Sequence, residues 1–246
     1  MQALRLTRVL GRIETTSAAR DPLLRWIGLI PIIVAVAARF ALPLVLQRLG
    51  GAIPGDVDTL RELIIGAALL LLTPAICGMV IGFLVLDQRD DRTLTALQVT
   101  PMPLNSYLLY RLMGPMAISG LMTVIAFAVA GLEAPGFAAI LLAACAAASL
   151  APMVALALAT FAENKVQGFA LLKGASLFMI GPLGAHFVSS HWQLAFGILP
   201  TFWPVRLLWS LGAGEPTWWL YLLVGTLYQA VLIVVLVRRF QRVMYR

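Results

Sequence analysis

Long apolar runs separated by short polar breaks dominate the chain from residue 23 onwards. Six of these runs are long enough to cross the hydrocarbon core of a bilayer as helices, which takes about 20 residues each. The runs cover residues 23–46, 63–86, 107–131, 136–161, 167–188 and 217–237. This pattern predicts an all-α, polytopic membrane protein with six transmembrane helices in the domain 23–237.

Residues 1–22 follow a different pattern. Apolar side chains recur there at spacings of three and four, and basic side chains gather on the opposite face. The basic set is Arg5, Arg8 and Arg12. We expect an amphipathic connecting helix that lies in the membrane interface and is broken at Asp21-Pro22. A solvated basic tail is the alternative.

The segment 189–216 is apolar, but it differs from the six spans. Pro200 and Pro204 interrupt it, and Arg206 lies in its second half. Its tryptophans suit the headgroup level of a bilayer. A crossing here would also put the two basic ends of the chain on opposite sides of the membrane. We therefore predict an extracellular re-entrant or surface helical hairpin before the last span.

Composition and charge agree with this interpretation and orient the chain. Of 246 residues, 61% are hydrophobic and 12% are charged, which excludes a soluble enzyme, a secreted disulfide scaffold and a disordered chain. With six spans, most lysines and arginines fall on the side of the two termini, including the basic tail 238–246. The positive-inside rule places that side in the cytoplasm. The net charge is +7. We expect the basic residues to lie against the lipid surface and not to bind nucleic acid.

The sequence carries little chemistry of its own. It contains no GxxxxGK[ST] phosphate loop, no GxGxxG and no HExxH motif. Its 11 acidic residues all lie in tails, in loops or at span edges, so no binding site for a coupling proton or sodium ion is apparent. We expect a non-enzymatic chain that binds no cofactor or metal and takes its energy from elsewhere.

Three features within the spans leave alternatives open. Arg39 and Lys173 would each cost about 3 kcal/mol at the bilayer centre. They can snorkel, Arg39 outward and Lys173 inward, or line a polar pathway and pair with an anionic substrate. Gly78-x-x-x-Gly82 permits close helix contact, either at a dimer seam or inside the bundle.

The cytoplasmic connection after the second span begins with the densest charge cluster of the chain. An aspartate at position 90 or 91 can cap a short helix, which the dipeptide at 100–101 would end. Such a charged, partly apolar element suits docking into a groove on a soluble partner, whereas a solvated loop is the alternative. The candidate docking residues are Asp87, Arg89, Asp90, Asp91, Arg92, Thr93, Leu94, Leu97, Thr100 and Pro101.

Residues 87–101 resemble the signature of type-2 ATP-binding-cassette (ABC) export permeases. In that family an acidic and basic stretch, a Thr-Leu and a Thr-Pro follow the second span. The stretches 163–168 and 199–204 resemble the bacterial drug-export branch of the family. The chain departs from the family pattern at Arg92, where many members have a glycine before the threonine.

The resemblance implies a permease subunit of an ATP-driven exporter. Segment 87–101 would form the coupling helix and dock a soluble ABC ATPase subunit, which would hold ATP and Mg. A second copy or a homologous permease would complete a dimer, and alternating access would move an amphipathic or hydrophobic, drug-like or lipid-like substrate. The alternative is a membrane scaffold or lipid scramblase subunit that is not coupled to ATP.

Overall fold

The computed structural model describes residues 22–49, 57–90, 104–131, 136–186, 188 and 190–244. The predicted connecting helix lies outside this range except for Pro22, and so do residues 91–103 and the last two residues of the basic tail. Within the described ranges the chain is helical and contains no strand. The predicted all-α class is confirmed for these residues.

The bounds of the helices follow the predicted apolar runs. In chain order the described helices are α1 (Pro22–Leu49), α2 (Val57–Asp90), α3 (Leu104–Ala130), α4 (Phe137–Ala148), α5 (Leu150–Phe161), α6 (Lys165–His186), the 3₁₀ helix Ser190–Ile198, α7 (Phe202–Gly212) and α8 (Trp218–Met244).

Four described stretches are long and apolar enough to cross a membrane. They are Ile65–Gln88, Leu112–Ala130, Phe137–Phe161 and Trp218–Arg242. α1 adds a shorter apolar stretch, Trp26–Ala41. These features support an integral membrane protein, and the count of six spans stays a prediction.

α4 and α5 form one helical stretch with an irregularity at Ser149. Pro152 has no N–H to donate to the carbonyl of Ala148, four residues earlier. The hydroxyl of Ser119 in α3 donates to that carbonyl instead, at 3.4 Å. Ser149 itself keeps right-handed helical angles, φ −65° and ψ −18°, so the run predicted as the fourth span keeps its direction.

α2 packs closely against α5 through two glycines. A Cβ atom added at Gly82 would lie 2.6 Å from Cδ1 of Leu158, and one at Gly78 would overlap the carbonyl oxygen of Ala151. The absent side chains thus let the two helices approach each other. In this structure the Gly78-x-x-x-Gly82 motif serves internal packing.

The short helix α7 belongs to the core. Its Val205 and Leu208 are almost fully buried, and they join one apolar cluster with residues of α1 to α5. Leu70 of α2 and Phe127 of α3 are members of the same cluster. Segment 189–216 thus contains the 3₁₀ helix, a turn and α7, with α7 packed among the longer helices. Its placement as a re-entrant or surface hairpin stays a prediction.

Candidate functional site

The end of α2 meets the start of α6 at a contact that we call the α2–α6 junction, formed by Phe83, Asp87, Lys165, Gly168 and Phe169. Nζ of Lys165 lies 3.0 Å from Oδ1 of Asp87. The ring centroids of Phe83 and Phe169 are 4.7 Å apart. A Cβ atom at Gly168 would lie 2.7 Å from Cε1 of Phe83, so only glycine lets the two helices approach this closely without a shift. The junction combines an ion pair with tight apolar packing.

The connection that leads into α6 is fixed by its own side chains. Oδ1 of Asn164 accepts the N–H of Gln167 at 2.9 Å, which satisfies a free donor in the first helical turn. The side-chain oxygen of Gln167 accepts the N–H of Glu163 at 2.9 Å, a variant of the reciprocal capping pattern. The turn between α5 and α6 is therefore well ordered by local hydrogen bonds.

The structure covers only the beginning of the predicted docking segment. Asp87, Arg89 and Asp90 belong to the last turn of α2, because this helix continues to Asp90. The predicted span stops at about residue 86 with the apolar run, whereas the backbone stays helical up to Asp90. A helix can leave a hydrocarbon layer without unwinding, since its backbone hydrogen bonds are internal.

The remaining docking residues lie outside the described residues. These are Asp91, Arg92, Thr93, Leu94, Leu97, Thr100 and Pro101. The coupling helix thus stays a prediction, and so does the capping role of Asp91. Asp90, the other aspartate considered as the cap of that short helix, is the last residue of α2.

Arg39 lies against the C-terminal end of α3. Its Nη1 donates to the carbonyl oxygen of Val129 at 3.2 Å, which is one of the last carbonyls of that helix and has no partner within it. The chain then turns at Gly131, whose φ is +66°. A cation is favourable at a helix C-terminus. This exposed position at a helix end is compatible with snorkelling, and a role in a pathway stays a prediction.

Lys173 projects from the exposed side of α6. Gly174 is also exposed, and a Cβ atom added there would meet nothing within 4 Å. Ser176 is exposed as well and donates to the carbonyl oxygen of Lys173 at 2.6 Å. Arg39 and Lys173 lie on different helices, α1 and α6, and the described residues show no contact between them.

The end of the 3₁₀ helix and the turn that leads into α7 form the hairpin tip, residues 197–201. Its carbonyl oxygens accept hydrogen bonds from side chains. Nε1 of Trp203 donates to the carbonyl oxygen of Gly197 at 2.9 Å, and the hydroxyl of Tyr228 donates to that of Ile198 at 2.5 Å. The hydroxyl of Thr201 donates in turn to the carbonyl of Phe178 in α6, at 2.5 Å. The irregular backbone of the tip is therefore tied to α6 and to α8.

A buried glutamine completes this arrangement. Nε2 of Gln229 donates to the carbonyl oxygen of Pro200 at 3.0 Å, and its Oε1 accepts the hydroxyl of Ser149 at 2.6 Å. Gln229 is only 2% exposed, and both ends of its amide are hydrogen-bonded, as a buried polar group requires. The glutamine joins α8, the α4–α5 irregularity and the hairpin tip.

Sequence reasoning had not singled out Ser149, Tyr228 or Gln229. The available signal was a polar side chain in the middle of an otherwise apolar run. Such a residue needs a hydrogen-bond partner in a membrane, but the run does not indicate which one. In these three cases the partners come from distant parts of the chain.

A second ion pair lies where α7 turns toward α8. Nη2 of Arg206 lies 3.2 Å from Oε1 of Glu215 and 3.3 Å from the hydroxyl of Tyr221. Arg206 also lies over the Tyr221 ring, 5.0 Å from its centroid. The one strong charge of α7 is thereby neutralised at the end of the hairpin.

Long apolar helices around an apolar core indicate an integral membrane protein, and comparisons with known proteins identify its family. The family described as fluoroquinolones export permease protein Rv2686c-like matches residues 14–237. Two relatives from Mycobacterium tuberculosis, the fluoroquinolones export permease proteins Rv2686c of strain H37Rv and MT2760 of strain CDC 1551, are each 34% identical over 233 residues. The match covers 94% of this chain and 92% of each relative.

The chain therefore belongs to the Rv2686c-like family of export permeases. The resemblance to drug-export permeases of the type-2 ABC class is confirmed at this level. No solved structure matches the chain.

Proposed function

We propose that this chain is the transmembrane subunit of an ATP-driven exporter in a bacterial inner membrane. It would move an amphipathic or hydrophobic substrate outward by alternating access, with a fluoroquinolone as the first compound to test. The observation that carries the proposal is the family match over residues 14–237. A soluble ABC ATPase subunit would bind ATP and Mg, because the sequence has no phosphate loop.

The α2–α6 junction supports a docking role for segment 87–101. A lever that transmits motion from an ATPase needs a firm attachment to the membrane helices. Asp87, the first residue of that segment, is paired with Lys165 at 3.0 Å, and Gly168 packs against Phe83 one turn away. A displacement of the coupling helix would therefore reach α2 and α6 together.

The ends of several helices support a cytoplasmic location for both termini. The guanidinium of Arg239 lies 4.5 Å from the ring centroid of Phe161, the last residue of α5, so α5 and α8 end near each other. Arg238 and Arg242 are exposed at the same end of α8. Basic residues of this kind favour the cytoplasmic side.

The hairpin fits a re-entrant element that reaches the middle of the bilayer. Between Trp219 and Arg238, α8 rises about 29 Å at 1.5 Å per residue, close to the thickness of the hydrocarbon core. Gln229 lies near the middle of that length, and it holds Pro200 of the hairpin tip. Irregular backbone is tolerated at such a depth when its polar groups have protein partners, as they do here.

Reconstitution tests the proposal directly. The purified chain is placed in proteoliposomes with and without a candidate soluble ABC ATPase subunit, and fluoroquinolone movement and ATP hydrolysis are measured. We expect transport only with ATPase and ATP, and no hydrolysis by the chain alone. Transport without an ATPase, or ATP-independent lipid scrambling by the chain alone, would support the scaffold or scramblase alternative instead.

A triple variant tests the coupling segment. Replacing Asp90, Asp91 and Leu94 by alanine should detach the ATPase or uncouple hydrolysis from transport. The control replaces two aspartates and a leucine at the other end of α2, which is predicted to lie outside the cell, and should leave coupling intact. These residues are Asp56, directly before the helix, with Asp58 and Leu60 in its first turn. Equal coupling in both variants would contradict docking at residues 87–101.

A further inference from the structure

The exposed side of α6 is unusual for a surface that faces lipid. Besides apolar residues it presents Lys173, Gly174 and Ser176. The exposed side of α8 offers a contrast, because no charged residue occurs between Trp218 and Val237. Since a charge is costly in hydrocarbon, the middle of α6 fits a surface that faces water or a polar molecule.

Lys173 also lies well away from the helix end. It follows Lys165 of the α2–α6 junction by eight residues, which corresponds to about 12 Å along a helix. The side chain makes no ion pair with the described residues. Its ammonium group would therefore be placed within the membrane thickness without a carboxylate from this part of the chain.

The sequence offers no internal counter-ion at this depth. All 11 acidic residues lie in tails, in loops or at the edges of the apolar runs. A second copy of the same chain would have the same distribution and could not supply a carboxylate from within a span. Because the apolar runs supply no carboxylate at this depth, a bound anionic molecule could neutralise Lys173 there.

We propose that Lys173 binds the anionic group, most simply a carboxylate, of an amphipathic substrate in the transport pathway. The open space beside Gly174 would admit the apolar part of that substrate against α6. An ion pair with a charge-assisted hydrogen bond is stronger in a poorly hydrated site than in water. This inference rests on the proposed function and adds the charge class of the substrate.

The test measures binding without the ATPase, so that it does not depend on coupled transport. The purified chain in lipid nanodiscs is titrated with pyrenebutyric acid, a fluorescent amphipathic carboxylic acid, and with its uncharged methyl ester. We expect the wild-type chain to prefer the acid. Lys173→Met should weaken acid binding about tenfold, the typical effect of losing a hydrogen bond to a charged group, while ester binding changes less than about twofold.

Matched variants identify the charge as the cause. Lys173→Arg keeps the charge and should restore most of the preference for the acid. Ser176→Ala, three residues away on the same exposed side, should leave both affinities unchanged. A wild-type chain without preference for the acid, or a Lys173→Met variant that weakens acid and ester equally, would overturn the inference. Neither result would bear on ATP-driven transport of other substrates, which the proteoliposome experiment measures separately.

Discussion

α6 and α8 both lie on the outside of the bundle, but their exposed surfaces differ in chemistry. α8 exposes large apolar residues along its length, among them Leu223, Leu227 and Val231. α6 also exposes large apolar residues, but Lys173, Gly174 and Ser176 interrupt them. The apolar surface is suited to lipid, whereas the mixed surface is suited to a pathway. We therefore expect the two exposed surfaces to face different environments in the membrane.

The attachments of the two helices differ as well. α8 is held near its middle, where Tyr228 and Gln229 donate to the hairpin tip. α6 is held at its start by Lys165 and Gly168, and in its second half by the bond from Thr201 to Phe178. A helix fastened near both ends and exposed between them can transmit displacement along its axis.

The sharpest test of this comparison introduces a charge on each exposed surface. Leu227 of α8 is 61% exposed and Leu177 of α6 is 70% exposed. We expect Leu227→Arg to destabilise the inserted protein by about 3 kcal/mol, the cost of arginine near a bilayer centre. Leu177→Arg should cost less than about 1 kcal/mol, because a hydrated surface solvates the charge.

The measurement is the thermal midpoint in lipid nanodiscs, together with the yield of folded protein. Wild-type protein and the conservative variants Leu227→Ile and Leu177→Ile are the controls. Equal losses from the two arginines would mean that α6 faces lipid as α8 does, and the comparison would fail.

The next largest effect is expected on the buried side of α8. Gln229→Leu removes the partner of two groups, the hydroxyl of Ser149 and the carbonyl of Pro200. We expect a loss of about 2 kcal/mol in unfolding free energy, because the partly buried Pro200 carbonyl would lose its donor. The Ser149 hydroxyl keeps the carbonyl oxygen of Ala146 as an acceptor, at 3.0 Å. Denaturant titration followed by tryptophan fluorescence measures this, since Trp203 lies beside the tip.

Thr226→Val is the matched control on the same helix. The Thr226 side chain is exposed and donates only to the carbonyl of Leu222, at 2.7 Å. Its loss should change stability by no more than about 0.5 kcal/mol. A Gln229→Leu variant as stable as this control would exclude the network as a support of the hairpin tip.

Two glycines of α6 provide a smaller and more local test. Gly168→Ala would bring a methyl group to 2.7 Å from Phe83, whereas Gly174→Ala would meet nothing within 4 Å. We expect the first change to destabilise the chain by about 1 to 2 kcal/mol through overpacking. The second should be neutral or stabilising by up to about 1 kcal/mol, since alanine favours a helix. Thermal unfolding of the two variants side by side measures the difference, and equal midpoints would contradict the tight α2–α6 junction.

The sequence allowed much of the helical layout to be predicted, because apolar runs and proline positions are local signals. The six runs correspond to described helices, and segment 189–216 contains a 3₁₀ helix and α7 separated by a turn. The re-entrant or surface placement of that segment stays a prediction. The end of an apolar run marks a change of solvent and does not require the helix to stop, so the helix that contains the second run continues beyond residue 86. Asp87 therefore lies in a helix that continues to Asp90.

Pairings between distant residues could not be predicted in the same way. Ser149 and Gln229 are separated by 80 positions, and nothing local to either residue indicates the other. Likewise, the glycine motif at Gly78 and Gly82 indicated a close helix contact but not that α5 would supply it. These contacts depend on how the helices pack, which a periodic pattern leaves open.

The smallest expected effect concerns the ion pair of Asp87 and Lys165. Both side chains are about one-third exposed, so water and salt screen their attraction. A double-mutant cycle with Asp87→Asn and Lys165→Met should give a coupling energy of about 0.5 kcal/mol for the permease alone, decreasing at high salt.

Repeating the cycle on the complex with the ATPase sharpens the test, because a subunit docked at this end would exclude water and strengthen the coupling. The measurement in each case is the denaturant midpoint of the four variants at two salt concentrations. An unchanged coupling energy in the complex would indicate that the partner docks away from the α2–α6 junction, and would leave α6 without the attachment that distinguishes it from α8.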